Sequence, residues 1–467
     1  MTEGTLTGLC RLTIRMPDRT MDIAVPADIP VADLLPAVLR FAGSDTEEAG
    51  VEHGGWALQR LGGAPLEDEA SLDSADLHDG ETLYLRPREQ ALPEAHFDDL
   101  VDGIATTMSR HGGDWTEHTA RRFLRSLTAG MVGIVFAVVA LPGVSVAQQT
   151  LAATCCGVLL LAGAATAGRA VGDAATAALL GCSAVPFFAL AGWLLPGGPS
   201  TGPLALQVLG IRLLSAGAAA AGCGVLALAA IGSAPALFAA VSTVSVFGAV
   251  AGALIAGYSL TGAEAAALVS LFAVALGGFV PVLAFRLSGM QMRPLPTTPQ
   301  QLQEGIDPYP SATVSSQSAV ADTWMTFLYT AVGIVCAACV IPLTMHDGLA
   351  ETVIASVLSV LLLLHGRNLG STRQRVAVLL PGVWAASLLA LASATDTRTG
   401  SRLVAIAVLV ALAAVLAIAI WVVPGRRMVP YWGRAAELLH SVTAISLLPL
   451  VLWVLGVYGY LRGLTGS

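Results

Sequence analysis

Two of the seven cysteines, Cys336 and Cys339, have the Cys-x-x-Cys spacing of redox and metal sites. Such thiols become reactive where neighbouring cationic groups lower the pKa of one of them. This pair lies in a long apolar stretch, where a thiol packs like a small hydrophobic side chain. We therefore predict a packing role, with redox chemistry or metal binding as the alternative, and we expect no disulfide, metal site or cofactor.

Amine chemistry is excluded by composition, because all 24 basic residues are arginine. A P-loop needs a lysine on the phosphates, and a Schiff-base enzyme needs a lysine amine. No cluster of histidine, cysteine or carboxylate residues suggests another reaction. The sequence therefore predicts a protein that is not an enzyme and has no catalytic residue.

Ionisable residues are nearly absent from the apolar segments, where they would mark ion or proton paths. Asp173, Glu264, Asp322 and Glu351 fall at segment ends, where a carboxylate suits a helix N-terminus. Arg212 alone lies clearly inside a segment. Its charge can reach the outer surface by snorkelling, or it can pair in a subunit interface or a water-filled vestibule.

Eleven apolar segments position these residues. A helix rises about 1.5 Å per residue, so about 20 apolar residues cross a hydrocarbon core of about 30 Å. The segments cover residues 127–147, 150–168, 171–195, 204–231, 234–257, 263–286, 323–343, 350–365, 374–394, 402–424 and 438–460. Unpaired backbone groups are not tolerated in lipid, so each segment is predicted to be a transmembrane helix.

Two smaller features within the segments have predicted roles. We expect His440 to lie at the membrane interface. We expect the GxxxG spacing of Gly248 and Gly252 to serve packing between helices of this chain.

The first 88 residues show a different pattern, with alternation typical of strands and one helical repeat. The alternating strand positions are Cys10, Leu12 and Ile14, then Met21, Ile23 and Val25; the helical positions are Val31, Leu34, Leu35, Val38 and Leu39. Short strands follow at 56–61 and 81–86. Strand–strand–helix–strand–strand in this length resembles a β-grasp, ubiquitin-like domain of the α+β class, and Glu81–Arg86 is similar to the last ubiquitin strand.

That resemblance has one departure with a functional consequence. No Gly-Gly end follows Arg86, and the chain continues through Pro87. Conjugation is therefore excluded, and a docking module is favoured over a plain globular cap. Pro36 inside the helical repeat should cost a hydrogen bond or bend the helix.

Between this head and the first span lies an amphipathic stretch. Its apolar positions, which we predict to contact a partner, are Phe97, Leu100, Val101, Ile104 and Met108. Three aspartates occupy the opposite side, so contact with protein is favoured over contact with lipid.

The next helix leads into the membrane and should start with a capping box formed by Asp114 and Glu117. It carries an arginine and aromatic belt suited to the membrane interface. The belt residues are Trp115, Arg121, Arg122, Phe123 and Arg125.

Charge divides the chain unevenly. Residues 1–118 hold 23 acidic and 8 basic residues, and residues 119–467 hold 9 acidic and 16 basic. The head therefore has a net charge of −15, which disfavours nucleic acid and anionic lipid and suits a basic face on a protein partner. Solubility alone also explains it.

Arginine positions predict the orientation. With the N-terminus inside, twelve arginines fall on the inner side and three on the outer side. The positive-inside rule then places the N-terminus in the cytoplasm and the C-terminus in the periplasm. The predicted domains are the cytoplasmic ubiquitin-like domain (1–88), the linker and the helix leading into the membrane (89–125), transmembrane helices 1–6 (126–286), an extended cytoplasmic linker (287–321) and transmembrane helices 7–11 (322–467).

This combination of head, linker, belt and eleven spans resembles the EccD membrane component of mycobacterial type VII (ESX) secretion systems. The head pattern includes Val31-Ala-Asp-Leu-Leu-Pro36, so the resemblance accounts for the proline. It implies a non-enzymatic inner-membrane scaffold that forms a homodimer beside the EccB, EccC and EccE components. The head would contact the EccC ATPase.

The alternative is a secondary transporter resembling the major facilitator superfamily. Such a protein also has an inner N-terminus and a long loop after span six, and Arg169 with Gly172-Asp173 faintly resembles an inner-loop motif of that family. The odd number of spans, the folded head and the lack of a charge at midplane depth argue against it.

Overall fold

A computed structural model of the chain describes residues 9–16, 20–42, 55–61, 63–88, 117–198, 201–290, 311–346, 348–395, 401–422 and 430–465. The chain divides into two compact units, residues 1–116 and 117–467. We call them the head and the membrane unit.

The head is a four-stranded sheet with one helix. Its elements are β1 (Leu9–Arg15), β2 (Thr20–Pro26), α1 (Val31–Ala42), β3 (Trp56–Arg60) and β4 (Glu81–Pro87). The strand order is β2-β1-β4-β3, with β1 parallel to β4 and the other pairs antiparallel. This is the β-grasp arrangement that the sequence predicts.

The head core forms where the alternating and helical repeats meet. Cys10, Leu12 and Ile14 of β1 are buried, and they pack with Val31 and Leu34 of α1. α1 continues through Pro36, where the missing N–H leaves one backbone hydrogen bond of the helix unmade.

An ion pair joins β3 and β4, which lie at one side of the head sheet. Nε of Arg60 in β3 lies 2.5 Å from a carboxylate oxygen of Glu81 in β4. The Glu81 carboxylate also accepts a hydrogen bond from the His78 amide. These contacts, with the Arg60 hydrogen bond as the largest cause, lower the pKa of Glu81 below its ordinary value of 4.5.

The membrane unit is helical throughout the described residues. Its helices are α2 (Glu117–Ala140), α3 (Val146–Thr166), α4 (Ala174–Leu194), α5 (Ala205–Ile231), α6 (Pro235–Tyr258), α7 (Gly262–Leu287), α8 (Ser311–Thr344), α9 (Leu349–His365), α10 (Thr372–Thr395), α11 (Ser401–Val422), α12 (Pro430–Val454) and α13 (Val457–Thr465). Among the described residues, ten helices are long and apolar enough to cross a membrane. The predicted span at 402–424 corresponds to α11, whose apolar stretch Ala405–Ile418 is shorter than those ten.

Three boundaries differ from the predicted ones. The first span and the described belt residues lie on one helix, α2, so the predicted boundary at 125/126 falls inside it. The predicted extended linker 287–321 is wrong for its last part, because α8 begins at Ser311. Pro310 is the last proline of the linker, and a proline at a helix start does not stop propagation after it. At the C-terminal end, Gly456 has a φ of +70° and separates α12 from α13, so the last long helix ends earlier than predicted.

Carboxylates at helix starts are confirmed at three of four positions. Asp173 caps α4, Glu264 completes a capping box with Thr261, and Glu351 lies in the first turn of α9. Asp322 was assigned wrongly, because it lies inside α8, where its carboxylate accepts a 2.7 Å hydrogen bond from Nε2 of Gln374 in α10.

Two packing regions hold the membrane unit together. The larger core joins α7, α8, α9, α10 and α12, and it contains Cys336 and Cys339. In the other region α5 and α6 approach closely: a methyl group added at Gly252 would lie 2.2 Å from the Leu214 backbone nitrogen. Gly248 faces open space, so only the second glycine of the predicted motif makes a close contact.

Candidate functional site at the first membrane helix

The belt residues that the structure describes lie at the start of α2. Arg121 pairs with Glu117 one turn earlier, at 2.5 Å, and Arg122 and Phe123 are exposed. Trp115 and the predicted partner-contact residues Phe97, Leu100, Val101, Ile104 and Met108 lie outside the described residues. Among the described belt residues, Arg125 forms an ion pair with the bundle.

Arg125 fastens α2 to the third membrane helix. One of its terminal guanidinium nitrogens lies 2.9 and 3.0 Å from the two carboxylate oxygens of Asp173, and its Nε donates to the Thr176 hydroxyl. The Thr176 hydroxyl donates to Asp173 in turn, at 2.6 Å. A charge-assisted contact of this kind is stronger than a neutral hydrogen bond and fixes orientation.

Asp173 occupies this position because the chain reverses just before it. A π-helical turn covers Ala167–Val171, and Gly172 with a φ of +76° ends it, a conformation that a side chain rarely adopts. Asp173 then accepts from the amides of Ala175 and Thr176 as the N-cap of α4. The hydrogen bonds from Thr176, followed by that from Arg125, hold the pKa of Asp173 well below its ordinary value. The carboxylate is therefore charged at neutral pH.

Arg169 makes a second junction from the same turn. Its Nε and one terminal nitrogen donate to the carbonyl oxygens of Ala230 and Ala229, each at 2.6 Å. These carbonyls belong to the last turn of α5, where a cation is favourable. The turn thus connects α3, α4 and α5 at one end of the bundle.

Two helices expose apolar faces along their length. α2 has no buried residue, and its exposed side chains include Leu127, Met131 and Ile134. In α11 the large side chains that the structure describes are likewise exposed, and Trp421 is 86% exposed. In this unit such faces can meet lipid or another protein subunit.

Arg212 extends towards the end of its helix. Its guanidinium donates to the Gly198 carbonyl oxygen at 3.3 Å, in the connection before α5. Nε of Arg212 is buried and has no hydrogen-bond partner among the residues described. The side chain points in the direction that snorkelling requires, and a role in a subunit interface stays a prediction.

A histidine pair is the polar cluster that the sequence did not reveal. Nδ1 of His365 and Nε2 of His440 are 3.2 Å apart, and the rings stack with centroids at 5.3 Å. With Tyr329 they line a cavity of about 150 Å³. The prediction of a purely interfacial His440 missed this contact between α9 and α12. A signal existed, because both histidines fall near the inner ends of their predicted spans.

The cysteine pair lies in the apolar core. Cys336 and Cys339 are buried, and Cys339 also lines an apolar cavity of about 370 Å³. Within the described ranges, no three histidine, cysteine or acidic residues are grouped so that they could hold a metal ion. The surroundings of both thiols are those of packed side chains.

Comparison with known proteins identifies the membrane unit. Residues 120–464 match the model of the EccD-like transmembrane domain, and this match spans well over half of the chain. The chain belongs to the EccD family. Residues 9–85 match the model of YukD, a protein of the WXG100 protein secretion system. The predicted resemblance to EccD is thereby confirmed.

The similarity to individual relatives covers most of the chain. The ESX-4 secretion system protein eccD4 of Mycobacterium tuberculosis (strain H37Rv) is 27% identical over 478 residues, 98% of each chain. A chain of the MycP5-free ESX-5 inner membrane complex aligns with a TM-score of 0.59 over 88% of this EccD-family chain and 99% of that one. A chain of the ESX-3 core complex aligns at 0.58, over 97% and 100%. Both structures are 19% identical to this chain, so they show a shared fold.

Proposed function

We propose that this chain is a structural subunit of the inner-membrane complex of an ESX, type VII, protein secretion system. The observation that carries the proposal is the joint match of the membrane unit to EccD and of the head to YukD. The chains of similar fold come from ESX membrane complexes, which supports a role in assembly. The subunit contributes no catalysis and joins other components.

The membrane unit forms a homodimer in this proposal. The apolar faces of α2 and α11 are available for contacts between subunits, since their large side chains are exposed along the helix. Contacts between membrane helices rest on close packing rather than on the exclusion of water. Lipid covers whatever part of these faces the second copy leaves free.

The head docks the EccC-type ATPase of the complex, and EccB-type and EccE-type components pack beside the membrane unit. Twelve inner arginines support a cytoplasmic head and a periplasmic C-terminus. The Arg125–Asp173 contact supports this role, because it fixes the helix that follows the head to the bundle. The apolar stretch from Phe97 to Met108 is proposed as a further contact with protein.

Membership of the EccD family disfavours the transporter alternative. The two hypotheses give different results for the full-length chain purified in mild detergent from native membranes. A scaffold is recovered with an FtsK-type ATPase and further membrane subunits. A transporter is recovered alone and accumulates a solute in liposomes. Recovery alone together with ion-coupled uptake would contradict the scaffold.

A further inference from the structure

One face of the head sheet is cationic although the head as a whole is acidic. Along β1 the side chains of Arg11, Thr13 and Arg15 alternate with the buried ones and so lie on the face away from α1. Arg15 pairs in register with Tyr84 of β4, and Arg86 follows two positions later on the same face. We call Arg11, Arg15, Tyr84 and Arg86 the arginine face.

The charges of the arginine face are not neutralised by the described part of the head. Arg60 and Arg88 are held in ion pairs with Glu81 and Asp68, whereas Arg11, Arg15 and Arg86 form none there. The guanidinium carbon of Arg86 lies 6.0 Å from the centre of the Tyr84 ring. Arg11 and Arg15 are exposed, and their guanidinium donors are free to meet an acidic group.

Two carboxylates border the arginine face, and both are engaged by other groups. Asp22 accepts a 2.6 Å hydrogen bond from the Thr13 hydroxyl, and Asp79 accepts one of 2.7 Å from the Arg11 backbone amide. Neither forms an ion pair with an arginine of the face. The face therefore keeps a positive charge although residues 1–118 have a net charge of −15.

This reversal of sign distinguishes between two classes of partner. An anionic membrane surface would repel the head as a whole at distances up to about 8–10 Å, the Debye length in physiological salt. A short acidic protein segment can approach the arginine face without facing the rest of the head. Guanidinium groups bind carboxylates in a planar, two-point geometry, and the Tyr84 hydroxyl adds a polar contact.

We propose that the arginine face is the surface with which the head binds an acidic segment of a partner protein. This inference rests on the proposed docking role of the head and names the surface that performs it. It also states the chemistry of the partner, which is a segment rich in aspartate and glutamate. The binding should weaken as salt is raised.

The test uses single charge reversals in the full-length chain with its native complex. Arg15→Glu should lower the recovery of the ATPase about tenfold relative to wild type in low salt. Arg15→Lys keeps the charge but loses the two-point contact, so its recovery should fall between those of Arg15→Glu and wild type. Arg40→Glu is the matched control, because Arg40 is an exposed arginine on α1, on the opposite side of the sheet. Equal recovery of every co-purified protein, the ATPase included, with Arg15→Glu and Arg40→Glu would overturn the proposal.

A second measurement separates this inference from the proposed function. A photo-crosslinking amino acid at Thr82 should capture a peptide that mass spectrometry identifies as rich in acidic residues, because Thr82 pairs with Thr13, which lies between Arg11 and Arg15 on β1. Capture of lipid, or of a neutral or basic peptide, would overturn the arginine-face proposal. An acidic peptide from a protein other than the ATPase would contradict the proposed docking of the ATPase. It would still support the binding of an acidic segment by the arginine face.

Discussion

At the scale of single residues, the Arg60–Glu81 pair gives the head a stability that depends on pH. Arg60 lowers the pKa of Glu81, so the unfolded chain binds this proton more readily than the folded head does. The stabilisation is complete above pH 4.5, the ordinary pKa, and is lost as pH falls through the lower folded value. Both side chains are partly exposed, which limits the contribution to about 0.5–1 kcal/mol.

Glu81→Gln should therefore lower the free energy of unfolding of the head at pH 7, and this loss should become smaller as the pH falls below 4.5. The signal of 5-fluorotryptophan at Trp56, in the strand next to β4, reports head unfolding by fluorine NMR. A difference between wild type and variant that is as large at pH 3 as at pH 7 would contradict this assignment.

The His365–His440 contact should hold the first half of α12 against α9. His440→Ala removes a hydrogen bond and a stacked ring, at a cost of about 1 kcal/mol. Backbone amides around residue 440 should then exchange faster with deuterium. His346→Ala is the control, because His346 is exposed. Equal exchange in both variants would show that the pair adds nothing to the attachment of α12.

At the scale of elements, Gly252 and Gly248 make a matched pair on α6. Gly252 meets the α5 backbone, while the space beside Gly248 is open. Gly252→Val should force the two helices apart and destabilise the membrane unit by about 1–3 kcal/mol, and Gly248→Val should change stability little. Thermal unfolding of both variants in the same detergent distinguishes them, and equal midpoints would contradict the observed packing.

The Arg125–Asp173 contact is the element-scale link between the helix that follows the head and the bundle. A double-mutant cycle of Arg125→Gln and Asp173→Asn should give a coupling energy larger than that of a more exposed ion pair, since this pair is only partly exposed. The Arg121–Glu117 pair is more exposed and serves as the reference, with a coupling of about 0.3–0.5 kcal/mol. A coupling energy no larger than that of the reference pair would show that the Arg125–Asp173 contact does not attach α2 to the bundle.

At the scale of the whole molecule, the hydrophobic periodicity of the sequence predicted both units, because burial and lipid each impose a pattern on the chain. Burial on one face imposes a period of two on β1 and of about 3.6 on α1, and lipid requires long apolar helices. The features that were missed depend on contacts between distant segments. Composition did not distinguish Gly248 from Gly252, and a separation of 75 positions along the chain concealed the pairing of His365 with His440. Asp322 was misplaced because α8 begins well before its apolar part.

The central claim is that the head docks an ATPase while the membrane unit forms the dimer. Its most direct test compares the full-length chain with a variant lacking residues 9–88, each purified in mild detergent from native membranes. Native mass spectrometry would give the copies of the chain and of the ATPase in each complex. The account predicts two copies in both samples and the ATPase only with the full-length chain. An ATPase retained without the head, or a single copy in both samples, would contradict it.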